Sequence, residues 1–354
     1  MTDLRPAHGG NLRWAAAQAG CSPDAILDFS ANINPLGPPT WLAEALLAAL
    51  PTLRHYPDPE YRELRQALGD VHHVPPTWIW PGNGAAELLT WIARDLATLK
   101  SVTVVTPAFG DYRRALQAAG AHLRPWPLPW PSLADPLAEL PAGRQSGLLI
   151  TNPHSPTGCL FCRQSLTQLL EHWALVVVDE AFMDFLPPTQ DQSLIPWVRD
   201  YPNLIVLRSL TKFYSLPGLR LGYAVGHPER WQRYQDWRDP WPVNALAAGL
   251  VPRLLADQAF QQQTWDWLTT ARADLLAALA VRPDWHPHPS VTNFLLVKTG
   301  RPAPDLQRQL LVQARILVRD TLSYPELGDH YLRLAVRTSP DHEHLRCALL
   351  GLPD

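Results

Sequence analysis

The feature that most constrains this fold is a series of short, unbroken apolar runs at residues 102–105, 148–150, 175–178, 204–207 and 223–225, separated by longer helix-like stretches. A strand with one wet face alternates apolar and polar side chains; these runs do not alternate, so both of their faces must be covered. Buried strands alternating with helices are the trace of parallel strands joined by crossover helices, which makes this an α/β chain. In such a sheet, ligands bind just beyond the carboxyl ends of the strands. The residues that follow the runs are Thr106-Pro107-Ala108-Phe109, Thr151-Asn152-Pro153-His154-Ser155, Asp179-Glu180-Ala181-Phe182 and Arg208-Ser209-Leu210-Thr211-Lys212. Spacing alone therefore gathers hydroxyls, a carboxylate and an amine at one polar site.

A chain of 354 residues exceeds the size at which one core stops growing, so two domains sharing one body are expected. The central segment, residues 41–239, is read as the large domain and residues 240–354 as a smaller one. The first 40 residues, rich in Pro, Gly and Asn, are read as an irregular arm packed with the small domain. Residues 125–141 read as a loop, 244–279 as one long helical stretch, 293–297 as a strand, 305–314 as a helix, and 316–319 and 331–336 as strands. Lys plus Arg number 30 against 33 Asp plus Glu without long runs of either sign, which excludes the electrostatic footprint of nucleic-acid or membrane binding. No apolar stretch is long enough to span a bilayer, and a small molecule is the expected partner. Four cysteines without a secretory start read as reduced thiols of a cytoplasmic protein. Cys159-x-x-Cys162 has no second pair at ligand spacing, so no metal is expected.

The most specific stretch is Ser209-Leu-Thr-Lys212-Phe-Tyr-Ser-Leu-Pro-Gly218-Leu-Arg220-Leu-Gly222, with a hydroxyl three residues before the lysine and an arginine eight after it. A solvated surface lysine is the competing reading. The stretch resembles the lysine motif of fold-type I enzymes that use pyridoxal 5'-phosphate, the aspartate-aminotransferase-like fold. That resemblance makes Lys212 the amine that bonds the cofactor aldehyde, with Ser209 and Arg220 holding its dianionic phosphate. It makes Asp179 the carboxylate paired with the pyridine nitrogen, which favours the protonated, electron-withdrawing ring. Gly84, Ala85 and Ala86, in Gly82-Asn-Gly-Ala-Ala-Glu87, precede a helical pattern and would offer backbone amides to the phosphate. Phe109 falls where the family stacks an aromatic ring on the cofactor. Tyr56, in Arg54-His-Tyr56-Pro-Asp58, matches a tyrosine that reaches the phosphate of a neighbouring subunit, which implies a homodimer. Two positions depart from the family: Ser155 replaces an asparagine that contacts the cofactor's phenolic oxygen, and Phe182 replaces a tyrosine that does the same.

The N-terminal strings His8-Gly-Gly-Asn11 and Asp28-Phe-Ser-Ala-Asn32-Ile-Asn-Pro-Leu-Gly-Pro-Pro39 are similar to those of the threonine-phosphate decarboxylase family of cobalamin biosynthesis, and the resemblance runs along nearly the whole chain. It implies a carboxy-lyase acting on O-phospho-L-threonine. Arg337, in Leu334-Ala-Val-Arg337-Thr, is then the arginine for the substrate carboxylate. Arg319, in Ile316-Leu-Val-Arg319-Asp, is the arginine for its phosphate, helped by His8 and Asn32. Two other readings stay open: an aminotransferase for a phosphorylated amino compound such as histidinol phosphate, and a non-catalytic module that kept the cofactor site.

Overall fold

The computed structural model describes residues 5–129 and 136–352. Its centre is a seven-stranded sheet in the order Ile79–Asn83, Leu221–Gly226, Leu204–Ser209, Trp173–Asp179, Gly143–Thr151, Val102–Thr106 and Leu123–Pro127. The pairs from Leu204–Ser209 outward to Leu123–Pro127 are parallel, and Leu221–Gly226 runs antiparallel to both of its neighbours. All five apolar runs are strands of this sheet. Strand Leu204–Ser209 is buried throughout, as is Val102–Thr106, because helices cover both faces. One large apolar cluster fills one face, with Val176, Val178, Val206 and Leu221 among its members. A second fills the other face with Val177, Ile205, Leu207 and Trp231. Neighbouring residues of one strand thus enter opposite cores, the period-two signature of a sandwiched sheet.

Two strands of this sheet were not expected. Ile79–Asn83 carries Pro81 and Gly82, and Leu123–Pro127 carries two prolines, compositions that read as loop. Both lie at the sheet margins, where a strand tolerates the loss of a backbone donor. The loop expected over residues 125–141 therefore begins inside an edge strand; residues 130–135 lie outside the described part of the chain.

The two ends of the chain are joined to each other. The first 40 residues are not irregular throughout: a helix spans Leu12–Ala19, capped by the Asn11 side chain on the Trp14 amide at 3.0 Å and ended by Gly20 at φ 64°. Strand Leu27–Asp28 pairs in parallel with Ile316–Leu317. A four-stranded antiparallel sheet follows the order Arg319–Asp320, Tyr331–Ala335, Phe294–Lys298 and His286–Pro287. The segment expected as one strand at 316–319 is therefore divided at Val318 between two sheets. The expected helical stretch 244–279 is also two helices, Ala245–Ala256 and Gln258–Leu279. Asp257 separates them and caps the second through the Phe260 amide at 3.0 Å. Among the described residues no helix is long and apolar enough to cross a membrane.

Candidate active site

A cavity of about 450 Å³ opens at the carboxyl edge of the large sheet. Its floor comes from the strand ends and its roof from the N-terminal arm and the small sheet. Sequence segments 300 residues apart meet there, among them His8, Asn32, Gly84, Phe109, Ser155, Asp179, Lys212, Arg220 and Arg319.

Lys212 sits in the short helix Leu210–Phe213, directly after the Leu204–Ser209 strand. Its half-buried side chain lines the cavity. Nζ donates to Ser209 Oγ at 3.4 Å and stands 5.1 Å from the centre of the Phe182 ring. Burial pushes its pKa below the ordinary lysine value; Asp179 opposes this, while Arg220 and Arg333 add to it. A lysine so placed holds more of the neutral amine at a given pH, the form that attacks a carbonyl carbon.

Asp179 closes its strand beside Lys212 and is buried. Its Oδ1 accepts the Ala181 amide at 2.9 Å and its Oδ2 the Tyr112 hydroxyl at 2.6 Å. At the far side of the floor, the helix Ala85–Leu96 points its first turn into the cavity, where Ala85 and Ala86 lie ahead of any carbonyl in the helix to receive their amides. Gly84 has φ 77°, and a Cβ there would run into the Arg220 guanidinium, so only glycine lets the arginine close over this turn. Ser209 Oγ and Thr211 Oγ1 lie 2.8 Å apart beside it. Glu87, the nearest acid in sequence, turns away to the Asn83 amide at 2.6 Å and to Trp91 Nε1 at 2.9 Å. Amides, hydroxyls and a guanidinium without a carboxylate are the donor set of a phosphate cradle.

The roof carries two arginines. Arg319 and Arg333 are direct cross-strand partners, so both guanidinium groups leave the same face of the small sheet. Arg319 is buried and donates to the carbonyls of Pro6 at 3.1 Å and Ala7 at 2.5 Å and to Ser323 Oγ at 2.6 Å. Burial lowers its pKa, Asp320 opposes this, and Arg333 adds to it. Arg333 donates to Ser155 Oγ at 3.3 Å and to the Tyr324 hydroxyl at 3.2 Å, and its buried Nε has no partner among the described residues. Asn32 brings a buried Oδ1 that also lacks one. His8 lies 5.5 Å from Phe109, ring centre to ring centre, with Nε2 3.7 Å from Asp111 Oδ1.

Two expected residues are not brought to this cavity. Arg337 donates to Asp341 Oδ2 at 3.0 Å and to the Asp28 carbonyl at 3.0 Å, tying the first helix turn of Ser339–Leu350 to the arm. Arg333, four residues earlier, occupies the cavity wall instead. Tyr56 is exposed and stacks on Trp241 with ring centres 4.3 Å apart, away from the cavity of its own chain. Ser155 does reach the site, but its hydroxyl is engaged by Arg333. Phe182 forms an apolar wall against Phe294, 5.0 Å away. Sequence reasoning missed Arg333, Tyr112, Thr211, Ser323 and Tyr324, all of which line the cavity.

Lys212, Arg220, Arg319 and Arg333 set four cationic side chains against two carboxylates, Asp111 and Asp179, in the cavity wall, which suits a ligand with more than one anionic group.

A mostly parallel sheet with a half-buried lysine and a buried aspartate at its carboxyl edge, roofed by a smaller sheet, is the fold-type I, aspartate-aminotransferase-like architecture. The chain belongs to the aminotransferase class I and II family, whose sequence model matches residues 24–349. It is 42% identical to threonine-phosphate decarboxylase of Salmonella typhimurium, covering 99% of this chain and 97% of that protein. It is 34% identical to histidinol-phosphate aminotransferase of Symbiobacterium thermophilum, covering 92% and 91%. Among solved structures, histidinol-phosphate aminotransferase from Sinorhizobium meliloti in complex with pyridoxal-5'-phosphate superposes with a TM-score of 0.84 at 22% identity, over 99% of this chain and 97% of that one.

Proposed function

We propose that this protein is a pyridoxal-phosphate-dependent carboxy-lyase that converts O-phospho-L-threonine to (R)-1-amino-2-propanol phosphate and carbon dioxide, the reaction of cobalamin biosynthesis. The observation that carries this reading is the pair of cross-strand arginines, Arg319 and Arg333, over a floor that holds Lys212 and Asp179. The 42% identity to the Salmonella decarboxylase supports it.

The residues present fit the cofactor. The cradle of Gly84, Ala85, Ala86, Ser209, Thr211 and Arg220 would hold its phosphate, Phe109 would cover one ring face, and Asp179 would take the ring nitrogen. When bound, pyridoxal phosphate supplies a conjugated, positively charged ring able to absorb the electron pair left by a departing carboxylate. The protein's part is placement. Arg319, with Asn32 and His8 beside it, takes the substrate phosphate; Arg333 takes the carboxylate, where a planar guanidinium makes two parallel bonds. Held at both ends, the substrate keeps its Cα–carboxylate bond upright to the floor. Lys212 Nζ would tether the cofactor, and the same amine, its pKa lowered by burial, would be available to hand a proton to Cα. In this reading Arg337 ties the helix Ser339–Leu350 to the arm and does not touch substrate.

Residues 41–239 would form the cofactor-binding domain, and residues 240–354 with the first 40 the domain that closes over it, in the cytoplasm. The exposed apolar side chains Leu47, Leu50, Leu53, Tyr56 and Trp241 support a homodimer in which Tyr56 reaches the partner's cradle.

The decisive assay incubates the protein and pyridoxal phosphate with O-phospho-L-threonine, with and without 2-oxoglutarate. Carbon dioxide and aminopropanol phosphate formed irrespective of the keto acid support the lyase. Glutamate formation would establish the aminotransferase, the second reading favoured by the 34% identical relative. Light scattering tests the assembly: a particle of one chain's mass contradicts the homodimer.

A further inference from the structure

Tyr112 has no part in the functions set out above, yet its hydroxyl is enclosed against Asp179. The phenolic oxygen lies 2.6 Å from Asp179 Oδ2 and 2.9 Å from Thr151 Oγ1. A phenol has one proton and a carboxylate can only accept, so that proton belongs to the bond with Asp179. The contact with Thr151 must then be made by the threonine hydroxyl as donor. A directed chain results, Thr151 to Tyr112 to Asp179, in which each hydroxyl is committed. With the Ala181 amide on Oδ1 at 2.9 Å, both carboxylate oxygens of Asp179 carry a donor fixed by the protein, which leaves their remaining lone pairs to the cavity.

The supports are rigid. Tyr112 lies in the helix Gly110–Ala118, whose buried residues Tyr112, Ala115 and Leu116 pack on the sheet. Thr151 and Asp179 end adjacent parallel strands and are Cα partners. Four groups converge on the carboxylate and its donor: Tyr112 from that helix, Thr151 from the neighbouring strand, Lys212 from the helix Leu210–Phe213, and Tyr324 from the roof. Burial, and next the Asp179 charge, push the Tyr112 phenol well above its ordinary pKa, so it remains a donor throughout the working pH range.

We propose that Tyr112 is a positioning residue that acts through Asp179: its hydroxyl, steadied by Thr151, holds the carboxylate as a charged acceptor aimed at the cofactor's ring nitrogen and keeps the shared proton on that nitrogen. The inference rests on the pyridoxal-phosphate reading of the site. Without the hydroxyl, Oδ2 is left buried with an unmatched lone pair, and the carboxylate answers by drawing the proton to itself. The ring then loses its positive charge. A purely structural tyrosine, by contrast, would affect stability and leave the nitrogen unchanged.

The test compares wild-type holoenzyme with Tyr112→Phe and Thr151→Val, each loaded with pyridoxal phosphate labelled with nitrogen-15 in the ring. The ring-nitrogen shift is recorded across pH, alongside melting temperature and kcat and KM for O-phospho-L-threonine. The wild type is expected to show a protonated ring nitrogen. Tyr112→Phe should move the signal toward neutral pyridine and lower kcat about ten- to a hundredfold, the loss expected for one hydrogen bond to a charged group, with KM little changed. Thr151→Val should shift the nitrogen the same way by less, and it decides the matter if Tyr112→Phe does not fold. An unchanged nitrogen shift in the folded variants, with or without a lower melting temperature, overturns the proposal. A wild type that binds the cofactor but does not turn over O-phospho-L-threonine overturns the substrate reading alone, because the nitrogen comparison still decides the role of Tyr112. Failure to take up pyridoxal phosphate overturns both.

Discussion

The floor and the roof of the cavity are built on different plans. On the floor, Asp179, Ser209 and Lys212 are set at or just after the ends of buried parallel strands and the glycine turn at the end of Ile79–Asn83, with Asp179 oriented by Tyr112 and Ser209 by Thr211 from the short helices beside the sheet. In the roof, Arg319 is capped by carbonyls of the N-terminal arm and Arg333 retains a buried Nε without a partner among the described residues. A floor of groups held in fixed positions suits a cofactor that stays in place from turnover to turnover. A roof with unspent donors suits an anionic substrate that comes and goes, since a buried donor gains most from a partner that supplies what it lacks. Under the proposed function, reaction type and substrate choice would reside in different parts of the chain.

The largest expected effect is on the floor. Lys212→Ala should abolish turnover and the visible absorbance of the bound cofactor while circular dichroism stays native; retained activity would remove the floor's central group from the account.

Stability against acid separates the regions next. His154 and His342 are buried and His72 half-buried, and loss of solvation holds the pKa values of His72, His154 and His342 at about 3, about 3 and about 4, below the unfolded value of about 6.5. The unfolded chain therefore binds more protons across this window. Their stabilising contribution is complete above pH ~6.5 and is lost as pH falls toward 4 and then 3. Together they give a slope of up to about 4 kcal/mol per pH unit near pH 5, from about 1.4 per proton. Burial raises the pKa values of Asp28, Glu180 and Asp184, which act in the opposite sense. His72 contacts Tyr223 of the large sheet and His154 lies beside Ser155, whereas His342 belongs to the C-terminal helix. Urea titrations of His72→Phe and His154→Phe should each lose about one proton's worth of slope.

In the roof, Arg333→Met should lower kcat/KM for O-phospho-L-threonine about a hundredfold, as the loss of a charge-assisted pair implies, while cofactor affinity holds. Arg337→Met should leave kcat/KM within a few fold and lower the melting temperature. The reverse pattern would exchange the two roles.

The smallest effect is at the join of roof and floor. Ser155→Ala removes one neutral partner of Arg333 and should raise KM only about two- to tenfold.

Much of the floor was legible because its signals are local. Unbroken apolar runs identify the buried strands, and the hydroxyl, lysine and arginine of residues 209–220 are held within one short segment. The roof depends on register. Tyr331–Ala335 and the residues after it carry arginines at 333 and 337, and nothing in that string says which one faces the cavity. The pairing of Arg319 with Arg333 decides it, and that pairing is a tertiary fact. Tyr112 was missed for a related reason: a helical tyrosine three residues after Phe109 reads as core until the strand end bearing Asp179 is placed under it. The edge strands Ile79–Asn83 and Leu123–Pro127 were hidden by proline and glycine, which a sheet margin tolerates.

The division between floor and roof is tested most directly by the crystal structure of the Lys212→Ala protein with pyridoxal phosphate and O-phospho-L-threonine. The account predicts cofactor phosphate in the Gly84–Arg220 cradle, substrate phosphate on Arg319 and substrate carboxylate on Arg333. A carboxylate bound to Arg337, or a substrate phosphate away from Arg319, would contradict it.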